Sequence, residues 1–477
     1  MHWFYGSAEF VNTGAIPKSG ATLIVASHGN DLPDILQTFL ATDRDILFVA
    51  NIAAADLPFV RWTYAGLGVI PVSRVRDARA LKARGEDASA LNANAFVRVV
   101  EALKQGHCVA IFPEGVVPDF PRLGTLRSGA AKMALQAIDA GVSSLTMVPI
   151  GFQYECAHET RSGALCVVGG PVAVERWTPV QSTKRVSEFT DFICDELQQL
   201  TRNSRTQHDA AVLATVSAVV AGALSSDTGR WHVPQSDTTQ SRSSSARTLT
   251  PIATAHPVQR LLSKLSAADG IFVADASAPS AIEQHGKLLN LQHSALALSR
   301  LTASFGARSW SARDQADVFC AAGPSQPSLR PESALVIALL APIAAVGWVW
   351  HAVPWAASYA IATKFAPRKV EFAAITLVPG LYVVVLWYLL APSVLLAFGI
   401  SPWIVLVVFL TQPRLGDFAV NWRERWRSLR LRGLVLRASD GEKDALVSQA
   451  RAFRTEWEVL DKVAASIPNT AARATGA

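Results

Sequence analysis

The feature that most constrains the fold is a run of forty residues, 372–411, that contains no formally charged side chain. A second run, 334–353, has no charge apart from a protonatable His351. About twenty apolar residues cross the hydrocarbon core of a bilayer, so the longer run could cross twice, with a break near Pro392. The alternative is a buried helical core, which uncharged runs of this length disfavour. We therefore predict that residues 331–413 are helical and membrane-embedded.

The segment that follows this apolar region, 414–477, is predicted to form basic amphipathic helices. Its first part carries the arginines and tryptophans Arg414, Arg423, Arg425, Arg427, Arg430, Arg432, Arg437, Trp422 and Trp426. A basic, Trp-bearing helix beside an apolar segment is typical of a helix that contacts lipid headgroups. Nucleic-acid binding is less favoured because no nucleic-acid motif accompanies the patch.

The first two hundred residues alternate between apolar strand patterns and helical patterns. The predicted strands are 21–27, 46–50, 69–72, 108–112 and 146–150, and the predicted helices begin near Asn30 and cover 92–105 and 128–140. Such alternation predicts an α/β fold with a mixed or largely parallel sheet flanked by helices. We assign this domain to residues 1–202.

Between these two regions the composition changes. Residues 203–256 are rich in Ser, Thr, Gln, Asp and Arg, which is typical of a flexible linker, and 257–330 are predicted to be a helical accessory region. The five cysteines include no CxxC pair and indicate reduced thiols in a cytosol-facing protein. The N-terminus lacks a basic stretch followed by an apolar run, so we expect no secretory signal.

The residues with the clearest chemical potential are His28 and Asp34, at the end of the first predicted strand and in the first turn of the next helix. A carboxylate folded back onto an imidazole fixes the tautomer and stabilises the imidazolium. The other ring nitrogen can then deprotonate an alcohol. Taken alone, the pair is more simply explained as an exposed His and an Asp at a helix start.

Further candidates follow other predicted strands. Arg74 comes after the short strand 69–72, and arginine grips phosphate oxygens in a bidentate fork. Glu114 and Gly115 belong to a Phe-Pro-Glu-Gly motif, and Arg127 precedes a helix start whose backbone N–H groups suit an anion. Singly, Arg74 is explained as a surface charge and Glu114 as a loop acid.

A last pair, Val148 and Pro149, ends the strand at 146–150 and is by itself plain core. In this order the motifs resemble the four motif blocks of the glycerophosphate acyltransferase superfamily over roughly residues 3–175. Many members have four residues between His and Asp. The five residues here, with Asn30 two after His28, look more like the glycerol-3-phosphate/dihydroxyacetone-phosphate acyltransferase branch known from yeast.

The resemblance implies a role for each site residue. His28 and Asp34 form the catalytic dyad. The residues Arg74, Glu114, Gly115 and Arg127 bind the acceptor, and Val148 and Pro149 shape the acyl side. Acyl-CoA or an acyl carrier protein is the co-substrate, no metal or cofactor is required, and no covalent enzyme intermediate forms. The resemblance implies an acyltransferase of glycerol 3-phosphate or dihydroxyacetone phosphate in phospholipid synthesis. From the cysteines and the apolar region we expect an integral or tightly associated membrane protein whose catalytic domain faces the cytosol.

The chain departs from the family after Gly115, where Val116 and Val117 replace the usual Ser or Thr. This leaves alternatives open. One is an acyltransferase for lysophosphatidate or another lysophospholipid. Another is a non-catalytic membrane scaffold on an acyltransferase fold, which the retained His28 and Asp34 oppose. A soluble serine hydrolase is disfavoured because there is no Gly-x-Ser-x-Gly elbow.

Overall fold

The structure is a computed structural model in two compact units, Met1–Ala157 with Ala164–Gln207, and His158–Gly163 with His208–Ala477. It describes residues 5, 7–51, 68–73, 82, 85, 87–159, 162–178, 182–204, 291, 294–307, 331–366, 368 and 371–466, and isolated positions at 207–219 and 314–319. Most of the predicted linker and accessory region therefore lies outside the described residues. The predicted domain boundaries stay predictions.

The first unit is built on one mixed sheet. Its described strands are β1 (Ser7–Val11), β2 (Thr22–Ala26), β3 (Ile46–Asn51), β4 (Ile70–Val72), β5 (Cys108–Ile111), β6 (Thr146–Tyr154), β7 (Gly163–Val168) and β8 (Val172–Ala173). Their order is β1-β7-β6-β2-β5-β3-β4, with β8 also paired to β6. The strands from β6 to β4 run parallel, whereas β7 and β8 are antiparallel to β6. The predicted α/β class and mixed sheet are confirmed.

Helices cover this sheet. They are α1 (Asp31–Leu40), α2 (Ala88–Lys104), α3 (Gly129–Asp139) and α4 (Ser182–Leu200). The side chain of Asp87 caps α2 by accepting a hydrogen bond from the Ser89 N–H at 2.8 Å. Small residues of α3, among them Ala130 and Ala134, are fully buried in the same core as β2 and β5. Their size allows the helix to lie close to the sheet.

Strand β6 differs most from its prediction. The apolar pattern predicted an end at Ile150, but the strand continues for four residues to Tyr154. The extension pairs antiparallel with β7, where Tyr154 lies opposite Ala164. Pairing between distant segments, rather than local periodicity, therefore determines the length of β6, and this places Tyr154 beside the candidate site.

The second unit is helical in its described part. Its long helices are α5 (Pro331–Leu339), α6 (Ala341–Phe365), α7 (Phe372–Ala397), α8 (Pro402–Leu436) and α9 (Asp440–Ser466). The break predicted near Pro392 is wrong, because α7 runs through Pro392 and ends at Ala397. The chain turns instead beyond Ala397, where Gly399 has a φ of 78° that favours glycine.

Helices α7 and α8 are long and apolar enough to cross a membrane by length and composition. Large apolar side chains along them point outward: Leu386 is 63% exposed and Leu410 64%. Outward-facing leucines are typical of a lipid-facing surface and not of a buried core. The helical C-terminal region is thus confirmed, with two candidate membrane helices.

Polar side chains join α6, α7 and α8. His351 lies 2.8 Å through Nδ1 from the Gly347 carbonyl and 2.9 Å through Nε2 from the Tyr388 hydroxyl. The Gln412 amide donates to the Tyr388 carbonyl at 3.1 Å and accepts from the Trp350 indole at 3.1 Å. Hydrogen bonds of this kind hold helices together where no water competes.

Candidate active site

Parallel strands bring the predicted motifs to one edge of the sheet. His28 follows the end of β2, and the Phe-Pro-Glu-Gly motif follows the end of β5, its direct neighbour. Because β2 and β5 pair in register from Thr22 and Cys108, both strands end at the same level. Ligand sites in α/β sheets form at the carboxyl ends of strands, so this edge is the candidate site.

The structure brings the predicted pair His28 and Asp34 into contact. His28 Nδ1 lies 3.0 Å from Asp34 Oδ2, and the same oxygen accepts the Asn30 backbone N–H at 2.7 Å. The turn that brings them together includes Asp31, whose φ of 41° lies in the left-handed region. The Asp34 side chain is fully buried. With Nδ1–H donating to the carboxylate, His28 Nε2 is the nitrogen left to act as a base.

The other oxygen of Asp34 has a partner that the sequence did not reveal. The Tyr154 hydroxyl donates to Asp34 Oδ1 and accepts from the Gln37 amide at 2.7 Å. The Tyr5 hydroxyl accepts from the Asn30 side chain and donates to the Ala157 carbonyl at 3.0 Å. Asp34 is therefore held by donors on both oxygens, which keeps it in one position beneath His28.

Glu114 is tied to the dyad through the backbone. Its Oε1 accepts the His28 backbone N–H at 2.7 Å, and its Oε2 accepts the Gly124 N–H at 2.6 Å. The residue is 2% exposed. A carboxylate between two backbone donors fixes both the loop after β2 and the loop that contains Gly124.

The His28 ring is also held from its face. It stacks on the Phe112 ring with centroids 4.5 Å apart and planes at 24°. Phe112 in turn stacks near Phe48 of β3 at 6.2 Å. Between the stacking on one side and the Asp34 hydrogen bond on the other, the imidazole has little rotational freedom.

Burial and charge set the protonation of the site. Burial alone lowers the pKa of His28, but the Asp34 hydrogen bond and the charges of Asp34, Asp31 and Glu114 outweigh it, so the pKa of His28 is raised. Burial raises the pKa of Glu114 to about 7, although the His28 and Gly124 N–H groups oppose the rise. Burial, and then the Asp34 charge, raise the pKa of Tyr154, which therefore remains a donor.

The remaining predicted site residues differ in their distance from the dyad. Gly115 has a φ of 66°, and a Cβ added there would lie 3.4 Å from Arg127 Nε, so the exposed Arg127 side chain packs over this turn. Val148 and Pro149 lie inside β6, opposite Ile24 and Val25, and are buried. They lie on the strand next to β2, at the level of the last residues before β2 ends at Ala26.

Arg74 lies outside the described residues, but the residue before it, Ser73, is held by two hydrogen bonds. The Ser73 N–H donates to the Asn92 side chain at 2.7 Å, and the Asn92 amide donates back to the Ser73 carbonyl at 3.1 Å. This clamp fixes the end of β4 on α2. Three strand spacings separate β4 from β2, which is roughly 14 Å.

The set of groups suits proton transfer to and from a substrate. His28 has an orienting carboxylate at Nδ1, an arrangement typical of a general base. In the part of the chain that the structure describes, no three or more His, Cys, Asp or Glu side chains are grouped to hold a metal ion. Among the described cysteines, Cys108, Cys156, Cys166 and Cys194 are free thiols, and burial raises the pKa of Cys108 to about 11. A thiolate nucleophile at Cys108 is thus disfavoured.

A comparison with known protein families gives a match within the first unit. Residues 7–153 match the family model described as Acyltransferase. The chain is 31% identical over 128 residues to "Glycerol-3-phosphate O-acyltransferase 1" and 36% over 85 residues to "Glycerol-3-phosphate O-acyltransferase 2", both of Saccharomyces cerevisiae. It is 26% identical over 135 residues to "1-acyl-sn-glycerol-3-phosphate acyltransferase LPAT1, chloroplastic" of Arabidopsis thaliana.

These matches are partial. The two yeast alignments cover 25% and 18% of this chain and 17% and 11% of the yeast proteins. The plant alignment covers 28% of this chain and 33% of the plant protein. The chain therefore matches well under two thirds of each relative, and all three alignments have the length of the first unit or less.

Proposed function

Since residues 7–153 form an acyltransferase domain, we propose that the protein is a membrane-bound O-acyltransferase. It moves a fatty acyl group from a thioester, acyl-CoA or acyl carrier protein, to a hydroxyl of glycerol 3-phosphate or dihydroxyacetone phosphate. The observation that carries this proposal is the 3.0 Å contact between His28 Nδ1 and the buried Asp34 carboxylate. That contact makes Nε2 a base at the edge where the acyltransferase motifs meet.

The chemistry needs one base and no enzyme-bound intermediate. His28 Nε2 removes the acceptor's hydroxyl proton as the oxygen attacks the thioester carbonyl. Asp34 stabilises the imidazolium that forms. The tetrahedral intermediate then expels the thiolate, which takes the proton back from His28 and leaves as a thiol. The products are an acylated glycerophosphate and free CoA or carrier protein, and no metal or cofactor takes part.

The acceptor's phosphate is assigned to Arg74, which follows the clamped end of β4. A bidentate guanidinium there suits a phosphate monoester. Arg127 lies over Gly115 beside the Glu114 loop and is the second basic group for the acceptor. Val148 and Pro149 line the acyl side through the apolar interior of β6. Glu114 acts by holding the His28 backbone and the loop around the acceptor.

The membrane part of the proposal rests on α7 and α8, whose outward-facing leucines suit a lipid environment. A bilayer anchor keeps the enzyme beside the surface that receives its lipid product. The catalytic unit is assigned to the cytosolic side, where acyl-CoA and glycerol 3-phosphate are found.

A second candidate is acylation of lysophosphatidate or another lysophospholipid. The observation in its favour is the similarity to the plant 1-acyl-sn-glycerol-3-phosphate acyltransferase, which is 26% identical over 135 residues. Both reactions use the same base and the same phosphate contact. They differ in whether the acceptor already carries an acyl chain.

The test is acyl transfer from radiolabelled palmitoyl-CoA by the purified, detergent-solubilised full chain. Glycerol 3-phosphate, dihydroxyacetone phosphate and lysophosphatidate are supplied in parallel, and acyl carrier protein serves as a second donor. Turnover of a small phosphate acceptor, lost in His28→Ala, supports the proposal. Turnover of lysophosphatidate alone selects the second candidate. Inactivity with every donor and acceptor contradicts both and leaves a scaffold on an acyltransferase fold.

A further inference from the structure

The arginines in the second half of α8 fall into different environments. Arg427 forms an ion pair within the second unit: its Nη2 lies 2.8 Å from Oδ2 of Asp314, whose side chain is 3% exposed. Arg423, Arg430 and Arg437 are instead exposed to the surroundings of the helix. Among the described residues, no carboxylate forms an ion pair with Arg430 or Arg437. These charges are available to a partner outside the fold.

The exposed arginines form a stripe. Positions 423, 426, 430 and 437 are separated by three, four and seven residues, so they share one side of an α-helix. Trp426, within this stripe, is 47% exposed and stacks at 5.7 Å on Trp422. Leu431 and Val435, on a different side, are buried. We call Arg423, Trp426, Arg430 and Arg437 the arginine stripe.

The stripe continues a helix that begins in the apolar region. From Pro402 to Pro413, α8 carries no charge, and its first charged residue is Arg414. At the start of the stripe, the Arg423 guanidinium lies 5.2 Å from the centre of the Trp348 ring of α6. Arginine and tryptophan next to an apolar helix are typical of the level of lipid headgroups.

We propose that the arginine stripe binds anionic lipid headgroups at the membrane surface. The guanidinium groups pair with lipid phosphates, which they grip with two parallel N–H bonds, and the Trp426 ring lies among the headgroups with its apolar face toward the acyl chains. The partner is the lipid surface, because the stripe continues an apolar helix that suits a bilayer. Since a helix rises about 1.5 Å per residue, Arg437 lies roughly 35 Å along the axis from Arg414, so the proposal requires that α8 lie along the membrane surface beyond Arg414. This surface is separate from the acyl-transfer chemistry and stands whether or not that reaction occurs.

The experiment measures lipid retained by the full-length protein in detergent. Equal amounts of phosphatidylglycerol and phosphatidylcholine with the same acyl chains are added, and bound lipids are counted by native mass spectrometry. Phosphatidylglycerol is a suitable probe because it is anionic but is not an acceptor in the proposed reaction. The wild type is expected to retain it in preference to phosphatidylcholine, and less so as salt is raised.

The test variant is Arg430→Gln with Arg437→Gln, which leaves the Arg423–Trp348 contact intact. Each lost arginine lowers binding about fivefold, so a drop in preference of tenfold or more is expected. The matched control, Arg425→Gln with Arg451→Gln, removes two exposed arginines outside the stripe and should retain the wild-type preference. Far-UV circular dichroism checks that both variants keep their helices.

Three results would overturn the proposal. The first is equal retention of both lipids by the wild type. The second is retention of as much phosphatidylglycerol by the stripe variant as by the wild type, and the third is an equal loss in the control and the stripe variant. The last result would mean that general positive charge, and not this stripe, attracts the lipid.

Discussion

Tyr154 and His28 bind opposite oxygens of one buried carboxylate: the Tyr154 hydroxyl donates to Asp34 Oδ1, and His28 Nδ1 lies 3.0 Å from Asp34 Oδ2. The tyrosine comes from the far end of β6, well away from the dyad in sequence. Its hydrogen bond both positions the carboxylate and reduces the negative charge that reaches His28. We therefore propose that Tyr154 positions Asp34 for the proposed base.

Tyr154→Phe is expected to lower kcat about tenfold and to move the acid limb of the kcat/KM profile to higher pH. Without the hydroxyl, the Asp34 charge acts more strongly on His28 and raises the pKa of the imidazole further. The measurement is kcat/KM between pH 5 and 9. Tyr5→Phe is the control, because the Tyr5 hydroxyl bonds Asn30 and Ala157 and not Asp34. An unmoved acid limb in Tyr154→Phe would refute the positioning role.

Protonation of Glu114 should contribute to the acid limb of the pH profile of kcat/KM. Because burial raises the pKa of Glu114 to about 7, the carboxyl gains a proton as the pH falls through that value. Protonation removes an acceptor from either the His28 or the Gly124 N–H. The imidazole of His28, whose pKa is also raised, takes up its proton on the same acid limb. The logarithm of kcat/KM should therefore fall more steeply below pH 7 than in a variant whose acid limb depends on His28 alone.

Glu114→Gln tests this assignment because the amide resembles the protonated carboxyl at every pH. We expect a plateau lowered by about tenfold and an acid limb with a slope of one. Glu101→Gln, an exposed change on α2, should keep the wild-type plateau and slope. An acid limb in Glu114→Gln as steep as in the wild type would show that another group carries the second proton.

Gly124 should not tolerate a side chain. A Cβ added there would lie 2.7 Å from Glu114 Oε2, so Gly124→Ala must displace the carboxylate that holds the His28 backbone. We expect a loss of more than tenfold in kcat and about 1–3 kcal/mol in the free energy of unfolding of the first unit. The control is Gly170→Ala, where an added Cβ meets nothing within 4 Å. Equal activity of the two variants would argue against the Glu114 bridge.

Gly347 should not tolerate a side chain either, because it lies at a close contact between two helices. A Cβ added to it would lie 2.7 Å from the Leu415 carbonyl oxygen and 2.8 Å from the Ala419 side chain, where α6 crosses α8. Gly347→Ala should therefore lower the midpoint of thermal unfolding in detergent. Gly433→Ala, a change in α8 with open space around it, should not, because alanine favours a helix. Equal midpoints would contradict this close helix contact.

The chain's local patterns predicted the parts of the site that come from single motifs. His28 and Asp34 could be paired from sequence because a strand end and the first helical turn lie a few residues apart. The strand ends at Glu114 and Ser73 could be aligned because parallel strands end at one edge. Arg74 was predicted from the same pattern and stays a prediction.

The rest of the site depends on long-range pairing, which periodicity does not encode. Tyr154 reaches Asp34 because β6 extends along β7, and Tyr5 reaches Asn30 from before the first strand. Likewise, Pro392 lies inside a helix because α7 continues to the turn at Gly399. The sequence does show Tyr154 four residues beyond the predicted end of β6. Its burial beside Asp34 could not be predicted, because it depends on the pairing of β6 with β7.

The most direct test of the account compares two carboxylates near His28. Asp34 contacts Nδ1 at 3.0 Å from a fully buried position, whereas Asp31 lies 3.9 Å from Nε2 with its side chain 48% exposed. The measurement is the initial rate of acyl transfer from palmitoyl-CoA by Asp34→Asn and Asp31→Asn. If His28 and Asp34 act as a dyad, Asp34→Asn should lose about 10³- to 10⁴-fold in rate. Asp31→Asn should lose less than tenfold, because asparagine tolerates the left-handed backbone conformation of residue 31. Comparable rates in the two variants would contradict a His28–Asp34 dyad.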